Sequence, residues 1–160
     1  MRLLRLLPAL LALATLSGAP ALTGCDGGGS SAVCPSDDAF GFEDVTPDGA
    51  TLGATLRSGD CIAVEYVGRL ADGGGTFAQG ADFQFFFPNG VPNLARGFLL
   101  GMAGQRVGQT RLVTVPPDLA YGRQQIGAQA EGLVDIPSCS TVEFEIRLKS
   151  ISQDARDCDR

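Results

Sequence analysis

Apolar and polar residues alternate clearly in two stretches of the chain. One is Cys61–Leu70, and the other runs from Val142 to Lys149. In the second stretch every other residue is charged, and the apolar residues between them are Val142, Phe144, Ile146 and Leu148. Because side chains of a β-strand point alternately to opposite faces, both stretches are predicted to be strands with one buried face and one solvated face.

Shorter patterns predict further strands. Residues 40–45 and 111–115 are short segments with apolar residues, and residues 82–87 place Phe83, Phe85 and Phe87 on one face. The Gly-rich segment 71–75 precedes Thr76 and Phe77, which are expected to begin a return strand. This segment has neither the Lys nor the following helix that a phosphate-binding loop usually has, so a hairpin turn is favoured.

A short helix is predicted between Leu94 and Met102. Leu94, Phe98 and Met102 are spaced by four residues, which places them on one helical face. Gly97 and Gly101 weaken a helix, so we expect a short one that packs closely against the sheet. Strands joined by hairpins and accompanied by one helix indicate the α+β class, with an antiparallel sheet and the helix on its concave face.

The strand at 111–115 is followed by a turn at residues 116–122 and by a segment rich in Gln, Ala and Gly at residues 123–135. This last segment shows little periodicity and is predicted to be a long loop. The helix, the strand and the turn between Leu94 and Gly122 are expected to direct apolar residues into one pocket. Long loops in compact domains are usually functional or disordered, so the loop is expected to contribute to the rim of that pocket.

The N-terminal segment is predicted to be a secretory signal. Met1–Arg5 carries two Arg residues, and the apolar run Leu6–Leu22 is too short for a confident membrane span. The sequence Leu22–Cys25 resembles a bacterial lipobox, which implies that Cys25 is lipidated and anchors the chain to a membrane. The alternatives are an ordinary signal peptide, cleaved near Ala19 or Ala21, and a buried helix.

The predicted domain organisation follows from these features. Residues 1–24 are the lipoprotein signal peptide, 25–40 a flexible Gly/Ser tether, 41–152 the folded domain and 153–160 a polar tail. Loss of Arg2 and Arg5 with the signal would lower the net charge from −6 to −8. An anionic membrane surface would repel such a domain, which leaves the lipid as its anchor.

Four cysteines remain after Cys25, and they are Cys34, Cys61, Cys139 and Cys158. An even number in an exported chain favours disulfides, and four cysteines allow three pairings. A metal site is disfavoured, because the four residues lie far apart and none forms a C-x-x-C pair.

Composition excludes several chemistries. The chain has no His and a net charge of −6, which argues against imidazole-dependent catalysis, His-ligated metals and a nucleic-acid partner. No Ser lies in a G-x-S-x-G motif, and the carboxylates are scattered. We therefore expect no cofactor and no metal. The remaining possibility is an apolar surface with two tyrosines, which suits binding or a reaction without proton transfer.

Several ordered motifs resemble the FKBP-type peptidyl-prolyl cis-trans isomerases. They are V-E-Y-V-G-R-L-A-D-G, then Phe77, A-R-G-F-L-L-G-M, V-G-Q-T-R-L, P-P-D-L-A-Y-G and I-P-S-C-S-T-V-E-F-E-I, and together they cover about residues 41 to 151. The resemblance implies a five-stranded antiparallel sheet wrapped around one short helix, with a pocket that takes a proline ring.

The resemblance also assigns site residues. Those expected to form the catalytic lining are Tyr66, Phe77, Phe98, Tyr121 and Phe144, and those expected to bind substrate are Phe83, Leu94, Ala95 and Ile136. Phe98 matches the Trp or Phe of the pocket floor. Ala95 replaces the usual Ile, whose backbone N–H holds the substrate, so the donor survives the change. Tyr121 would offer its hydroxyl to a substrate carbonyl.

Two features depart from the family pattern. Phe77 is usually followed by Asp, and here it is followed by Ala78. The loss of that carboxylate predicts reduced activity and leaves open whether the family's macrolide inhibitors bind. The loop at 123–135 is also longer than in compact members, which predicts a change in the peptides that fit.

The topology implied by the resemblance pairs Cys61 with Cys158 and Cys34 with Cys139. The first functional hypothesis is a monomeric, lipid-anchored prolyl isomerase that acts on proline-containing peptides or unfolded proteins of the bacterial cell envelope. The second is a non-catalytic chaperone or proline-peptide-binding module, and the third is an envelope scaffold with the same fold.

Overall fold

The structure is a computed structural model in which residues 34, 38–152 and 158 are described. The predicted signal peptide, the predicted lipidation site Cys25 and most of the predicted tether and tail lie outside these residues. The domain boundaries at 1–24, 25–40, 41–152 and 153–160 therefore stay predictions.

Five strands form one antiparallel sheet in the described part of the chain. They are β1 (Gly41–Asp44), β2 (Cys61–Leu70), β3 (Thr76–Phe86), β4 (Thr110–Val115) and β5 (Val142–Ser152). Their spatial order is β1-β4-β5-β2-β3, so β5 lies at the centre. The helix α1 (Arg96–Met102) packs on the sheet, and a 3-10 turn follows β4 at Pro117–Leu119. The predicted α+β class and the five-stranded sheet with one short helix are confirmed.

The core lies between the concave face of the sheet and α1. Phe98 and Met102 are fully buried on the helix, and the sheet opposes them with apolar side chains of β4 and β5. The buried positions of β5 are those that the alternation predicts, namely Val142, Phe144, Ile146 and Leu148. Burial of a side chain of this size contributes roughly 1.5–3 kcal/mol, so this face supplies a large part of the fold's stability.

Two glycines allow α1 to lie close to β4. A Cβ atom on Gly97 would overlap the side chain of Val115, and one on Gly101 would overlap that of Val113. The prediction that these glycines bring the helix close to the sheet is confirmed. Their weak helical propensity is offset by the contact that their small size permits.

The helix is shorter than the sequence predicted. It begins at Arg96 rather than at Leu94. Asn93 has a left-handed φ of 68° and the N–H of Leu94 donates to the Val91 carbonyl, so these residues form a turn. Ala95 has a ψ of 133°, which places it just before the helix as its N-terminal flanking residue.

Arg111 fixes the other end of the helix. Its side chain is buried, and its Nη1 donates to the carbonyl oxygens of Gly101 at 2.9 Å and Ala103 at 2.8 Å. Its Nε donates to Asp44 Oδ1 at 2.9 Å. Carbonyls at the end of a helix lack partners within the helix, so a cation there is stabilising. Arg111 thus joins β1, β4 and α1.

Two details of the sheet differ from the predictions. The segments predicted separately around Phe77 and at 82–87 are one continuous strand, β3, which pairs with β2 through two register shifts. The face of β2 predicted to be solvated is buried at Ala63. The alternation of residue types does not predict the burial of Ala63, because alanine is small and occurs both in buried and in solvated positions.

Two disulfides are present, Cys34–Cys139 and Cys61–Cys158. Both pairings implied by the family resemblance are confirmed. They link residues separated by 105 and 97 positions in the sequence. Closing loops of this length restricts the unfolded chain, and a native disulfide typically contributes about 2–4 kcal/mol.

Within residues 34, 38–152 and 158, no helix has the length and apolar character needed to cross a membrane. The same residues contain no group of three Cys, Asp or Glu side chains placed to bind a metal ion.

Candidate active site

Six aromatic rings form a continuous series on the concave side of the sheet. In order of contact they are Phe83, Tyr66, Phe98, Phe144, Phe77 and Tyr121. Neighbouring centroids lie between 5.1 Å and 6.0 Å apart, and four of the five pairs meet edge to face. This geometry is the favourable one for aromatic pairs, so the rings hold one another in place.

The middle of this series is buried and its two ends reach the surface. Phe98, Phe144 and Phe77 are buried, whereas Phe83, Tyr66 and Tyr121 are only partly buried. The six positions that the resemblance assigned to the aromatic lining are therefore brought together by five different parts of the fold, namely β2, β3, α1, β5 and the turn after β4. Phe85, whose ring centroid lies 5.1 Å from that of Phe83, is packed in the core.

Two glycines of the sheet make room for these rings. A Cβ on Gly68 would lie 2.7 Å from Phe77 Cζ and 3.0 Å from Phe144 Cε1. A Cβ on Gly80 would lie 2.7 Å from Tyr66 Cε1. Carbon atoms pack best at about 3.5–4.0 Å, and repulsion between them rises steeply at these shorter separations. Glycine at both positions therefore permits the ring series.

Ala95 supplies a backbone donor beside the rings. It is buried immediately before α1, and its carbonyl accepts from Phe98 N–H at 3.1 Å. Its own N–H takes part in none of the backbone hydrogen bonds of the described residues. A buried N–H without a partner is costly, so this group is suited to bind a carbonyl of a ligand. Leu94, the residue before it, is partly buried against the core.

Tyr121 supplies a second donor. Burial, together with the negative charge that Tyr66 would carry, raises the pKa of Tyr121 to about 12, and burial raises the pKa of Tyr66. Tyr121 therefore remains a neutral hydroxyl donor at any physiological pH.

A cavity of about 280 Å³ lies next to Tyr121. The fold around it contributes Phe77, Ala78, Asn93, Tyr121 and Ile136, and the loop at 123–135 contributes Ile126, Gly127, Gln129 and Val134. The prediction that this loop adds to a pocket rim agrees with its position in the structure. Ile136 is buried in the cavity wall.

The loop is held in place at several points. Ile126 and Ile136 exchange two backbone hydrogen bonds, of 3.0 Å and 2.7 Å, and Val134 N–H donates to the Thr76 carbonyl of β3 at 3.0 Å. Just beyond the loop, Cys139 N–H donates to the Gly122 carbonyl at 2.7 Å and its side chain is tied to Cys34. The loop is thus an ordered wall of the cavity.

Ala78 lies in the cavity wall between Phe77 and the loop. Its methyl group stands where the family usually has a carboxylate. None of the nine residues that line the cavity is charged. The departure seen in the sequence therefore leaves no carboxylate among the residues that line this cavity.

Sequence reasoning missed Asn93, Ile126, Gln129 and Val134 as parts of the site. The length of the loop and its position after Tyr121 indicated that it contributes to the site. No motif within the loop distinguished one residue from another. Asn93 precedes a predicted helix and takes a left-handed conformation there. No sequence pattern indicated a role for Gly80 either, because that role depends on the ring of Tyr66 in the neighbouring strand β2.

Comparisons with known proteins agree with this geometry. Residues 53–149 match the family described as FKBP-type peptidyl-prolyl cis-trans isomerase. FK506-binding protein 2 of Yarrowia lipolytica is 36% identical over 113 residues, which are 69% of this chain and 72% of that protein. FK506-binding protein 4 of Dictyostelium discoideum is 37% identical over 101 residues, which are 63% of this chain.

The chain spans only a minor part of several of these relatives. Its match covers 26% of the Dictyostelium protein and 21% of FK506-binding protein 4 of Gibberella zeae, to which it is 35% identical over 109 residues.

A solved structure shows the same architecture. The crystal structure of AtFKBP13 superposes with a TM-score of 0.56 at 25% identity, covering 75% of this chain and 98% of that one. Sequence motifs, sheet order, the aromatic series and these matches lead to one conclusion. The chain belongs to the family of FKBP-type peptidyl-prolyl cis-trans isomerases.

Proposed function

We propose that this protein catalyses the cis-trans rotation of X-Pro peptide bonds in exported proteins and thereby assists their folding in the bacterial cell envelope. The observation that carries the proposal is the apolar series of six rings bordered by two hydrogen-bond donors, Ala95 N–H and the Tyr121 hydroxyl. The proposed catalytic lining is Tyr66, Phe77, Phe98, Tyr121 and Phe144, and the proposed substrate contacts are Phe83, Leu94, Ala95 and Ile136.

The chemistry requires no proton transfer. Rotation of an X-Pro bond breaks amide resonance, and the uncatalysed process takes roughly tens to hundreds of seconds. The twisted amide is less dipolar than the planar amide, so an apolar surface stabilises it relative to the ground state. Ala95 N–H and Tyr121 would bind carbonyl oxygens of the peptide and hold the prolyl ring against the aromatic rings.

The proposal is tested with a protease-coupled assay on a short X-Pro peptide. The purified protein should accelerate isomerisation in proportion to its concentration, and Tyr121→Phe should reduce that acceleration. Leu100→Ala is a matched control, because Leu100 lies on α1 and is 40% exposed. A wild-type rate equal to the uncatalysed rate would exclude the enzymatic function.

One observation favours a second candidate, a non-catalytic module that binds proline-containing peptides or acts as a chaperone. Ala78 removes a carboxylate from the wall of the cavity beside Tyr121. Under this hypothesis the protein binds X-Pro peptides without accelerating their isomerisation. Refolding of an unfolded substrate protein would then depend on the same pocket, and both Tyr121→Phe and Phe98→Ala would weaken it.

The proposed location is the cell envelope, with lipidation at Cys25 as the membrane anchor. It is supported by the lipobox-like sequence Leu22–Cys25, by the Gly/Ser-rich tether and by two disulfides, which are typical of exported proteins. Expression of the full chain in a bacterium supplied with a labelled fatty acid tests it. The wild-type protein should incorporate the label and Cys25→Ser should not, whereas an unlabelled wild-type protein would contradict the anchor.

A further inference from the structure

We infer that Lys149, an exposed residue of β5, is a positioning residue for the peptide site. It holds an irregular part of β3 and thereby fixes the arrangement of the Tyr66 and Phe83 rings. The inference rests on the proposed prolyl-peptide binding, because these two rings belong to the proposed site. The term bulge contacts is used below for the two hydrogen bonds that Lys149 donates to Ala81 and Asp82.

The strand β3 contains an extra residue beside Tyr66. Its pairing with β2 shifts between the pair Val64–Phe83 and the pair Tyr66–Gly80. Between these two pairs β2 contributes one residue, whereas β3 contributes two, Ala81 and Asp82. This arrangement is a β-bulge, which bends a strand and changes the direction of the side chains beside it.

The bulge allows Gly80 and Phe83 to face the same ring. Residues three positions apart in a regular strand point to opposite faces of the sheet. Here the ring centroid of Phe83 lies 5.5 Å from that of Tyr66, and a Cβ atom on Gly80 would lie 2.7 Å from Tyr66 Cε1. The packing of Tyr66 against both residues therefore depends on the extra residue in β3.

Lys149 holds this bulge from β5, across the intervening strand β2. Its Nζ donates to the Ala81 carbonyl and to Asp82 Oδ1, both at 2.8 Å, and Gln84 Nε2 donates to Asp82 Oδ2 at 3.1 Å. Hydrogen bonds from Lys149 and Gln84, together with the charge of Lys149, lower the pKa of Asp82 below its ordinary value. The carboxylate is therefore ionised at neutral pH and accepts both bonds.

Lys149 itself occupies an irregular position in β5. Ser150 pairs with Ala63 and Leu148 pairs with Val64, so Lys149 is an extra residue between these two pairs. Irregular segments of β5 and β3 thus lie on the two sides of the same part of β2. Regular pairing is interrupted at such positions, so a contact from outside the ladder fixes the local geometry.

The inference is tested with Lys149→Met, which keeps most of the side chain and removes both bulge contacts. Arg147→Met is the matched control. Arg147 lies in the same strand and carries the same charge, and its own ionic contact, of 3.9 Å, is made to Glu65 of β2 rather than to β3. Both variants alter exposed side chains, so both should fold.

The arrangement of Tyr66 can be followed without any peptide. The chain has two tyrosines and no tryptophan, so NMR of ring-labelled tyrosine in the Tyr121→Phe background reports on Tyr66 alone. Its signals depend on the ring currents of Phe83 and Phe98, which contact it. Lys149→Met should shift these signals and Arg147→Met should leave them in place. Equal spectra for the two variants would overturn the inference.

The effect on the site is measured as the dissociation constant of a fluorescently labelled X-Pro peptide, with Tyr121 intact. Lys149→Met should raise it about threefold and Arg147→Met should change it by less than about 1.5-fold, since exposed ion pairs contribute little by themselves. Equal dissociation constants for the two variants would overturn the positioning role. A loss of stability in Lys149→Met without a shift of the Tyr66 signals would show an ordinary surface ion pair and overturn it as well.

The outcome can be separated from that of the proposed isomerase activity. If the wild-type protein accelerates no X-Pro peptide, the isomerase proposal fails, whereas the Tyr66 signals still test the bulge contacts. If the wild-type protein is active and Lys149→Met matches Arg147→Met in both measurements, the isomerase proposal stands and the role of Lys149 is refuted.

Discussion

The ring of Tyr121 meets the ring of Phe77 edge to face, with centroids 6.0 Å apart and planes inclined by 88°. Phe77 is in turn fixed by Phe144, which belongs to the central strand β5. The hydroxyl of Tyr121 is therefore directed by packing that extends into the core. A hydrogen-bond donor held by rigid neighbours loses little entropy when a substrate binds.

The first prediction concerns Tyr121→Phe. This change removes the hydroxyl and keeps the ring contact with Phe77. A hydrogen bond contributes about 1 kcal/mol, so kcat/KM for an X-Pro peptide should fall about fivefold. Protease-coupled assays measure the rate, and urea denaturation should show little change in the free energy of unfolding. An unchanged kcat/KM would show that the hydroxyl does not contact the substrate.

The second prediction concerns Ala78→Asp, which restores the residue usual in the family. A carboxylate at this position would accept a hydrogen bond from a backbone N–H of the peptide and leave the single Tyr121 proton to the substrate carbonyl, so kcat/KM should increase by about fivefold, the effect of one hydrogen bond. Ala78→Asn is the control, since it has nearly the same shape without the charge. Equal rates for wild type, Ala78→Asp and Ala78→Asn would show that the missing acid does not limit activity.

The third prediction concerns Phe98→Ala. Phe98 is fully buried and contacts the rings of Tyr66, Phe85 and Phe144. Truncation of such a residue typically costs about 3–5 kcal/mol, because it leaves a cavity. Urea denaturation should show a loss of this size. Leu100→Ala, on an exposed position of the same helix, should change stability by no more than about 0.5 kcal/mol.

The fourth prediction concerns Gly97 and Val115. Replacing Gly by Ala in an ordinary helix stabilises it by about 1 kcal/mol. Here Gly97→Ala should destabilise the protein, because the added Cβ overlaps the Val115 side chain. Val115→Ala leaves only its Cβ, 3.1 Å from the new atom, and should relieve most of the clash. A double-mutant cycle measured by urea denaturation should therefore show favourable coupling, and additive effects would contradict it.

The fifth prediction concerns stability at high pH. The pKa of Tyr121 is raised to about 12 in the folded protein, whereas an unfolded Tyr has a pKa of about 10. The folded state therefore holds this proton more tightly, and the resulting stability is complete below about pH 10 and is lost as the pH rises toward 12. Between about pH 9.5 and 11, stability should fall less steeply for Tyr121→Phe than for wild type. Identical slopes would contradict the raised pKa.

Several features of the fold could be predicted because they depend on local pattern. The alternation in β5 predicted its buried residues, since side chains of a strand must face alternate sides. The spacing of Phe98 and Met102 predicted the buried face of α1 in the same way. The start of the helix was wrong by two residues, because the left-handed turn at Asn93 has no distinctive residue pattern.

The site was predictable mainly through family resemblance. The motifs around Tyr66, Phe98 and Tyr121 assigned the aromatic rings, and the structure places those rings in one contiguous series. Both disulfide pairings were likewise available only from the implied topology, because the four cysteines by themselves allow three arrangements.

The sequence by itself determined the class of fold, the buried faces of its strands and helix, and the absence of a His that could act as acid or base. These properties follow from residue type and from distances of a few positions along the chain. Only the tertiary structure decided that Gly80 admits the ring of Tyr66, that the N–H of Ala95 has no backbone partner among the described residues, and that the loop closes an uncharged cavity around Ala78. Each of these depends on contacts between segments far apart in sequence, and no local pattern records which segments will meet.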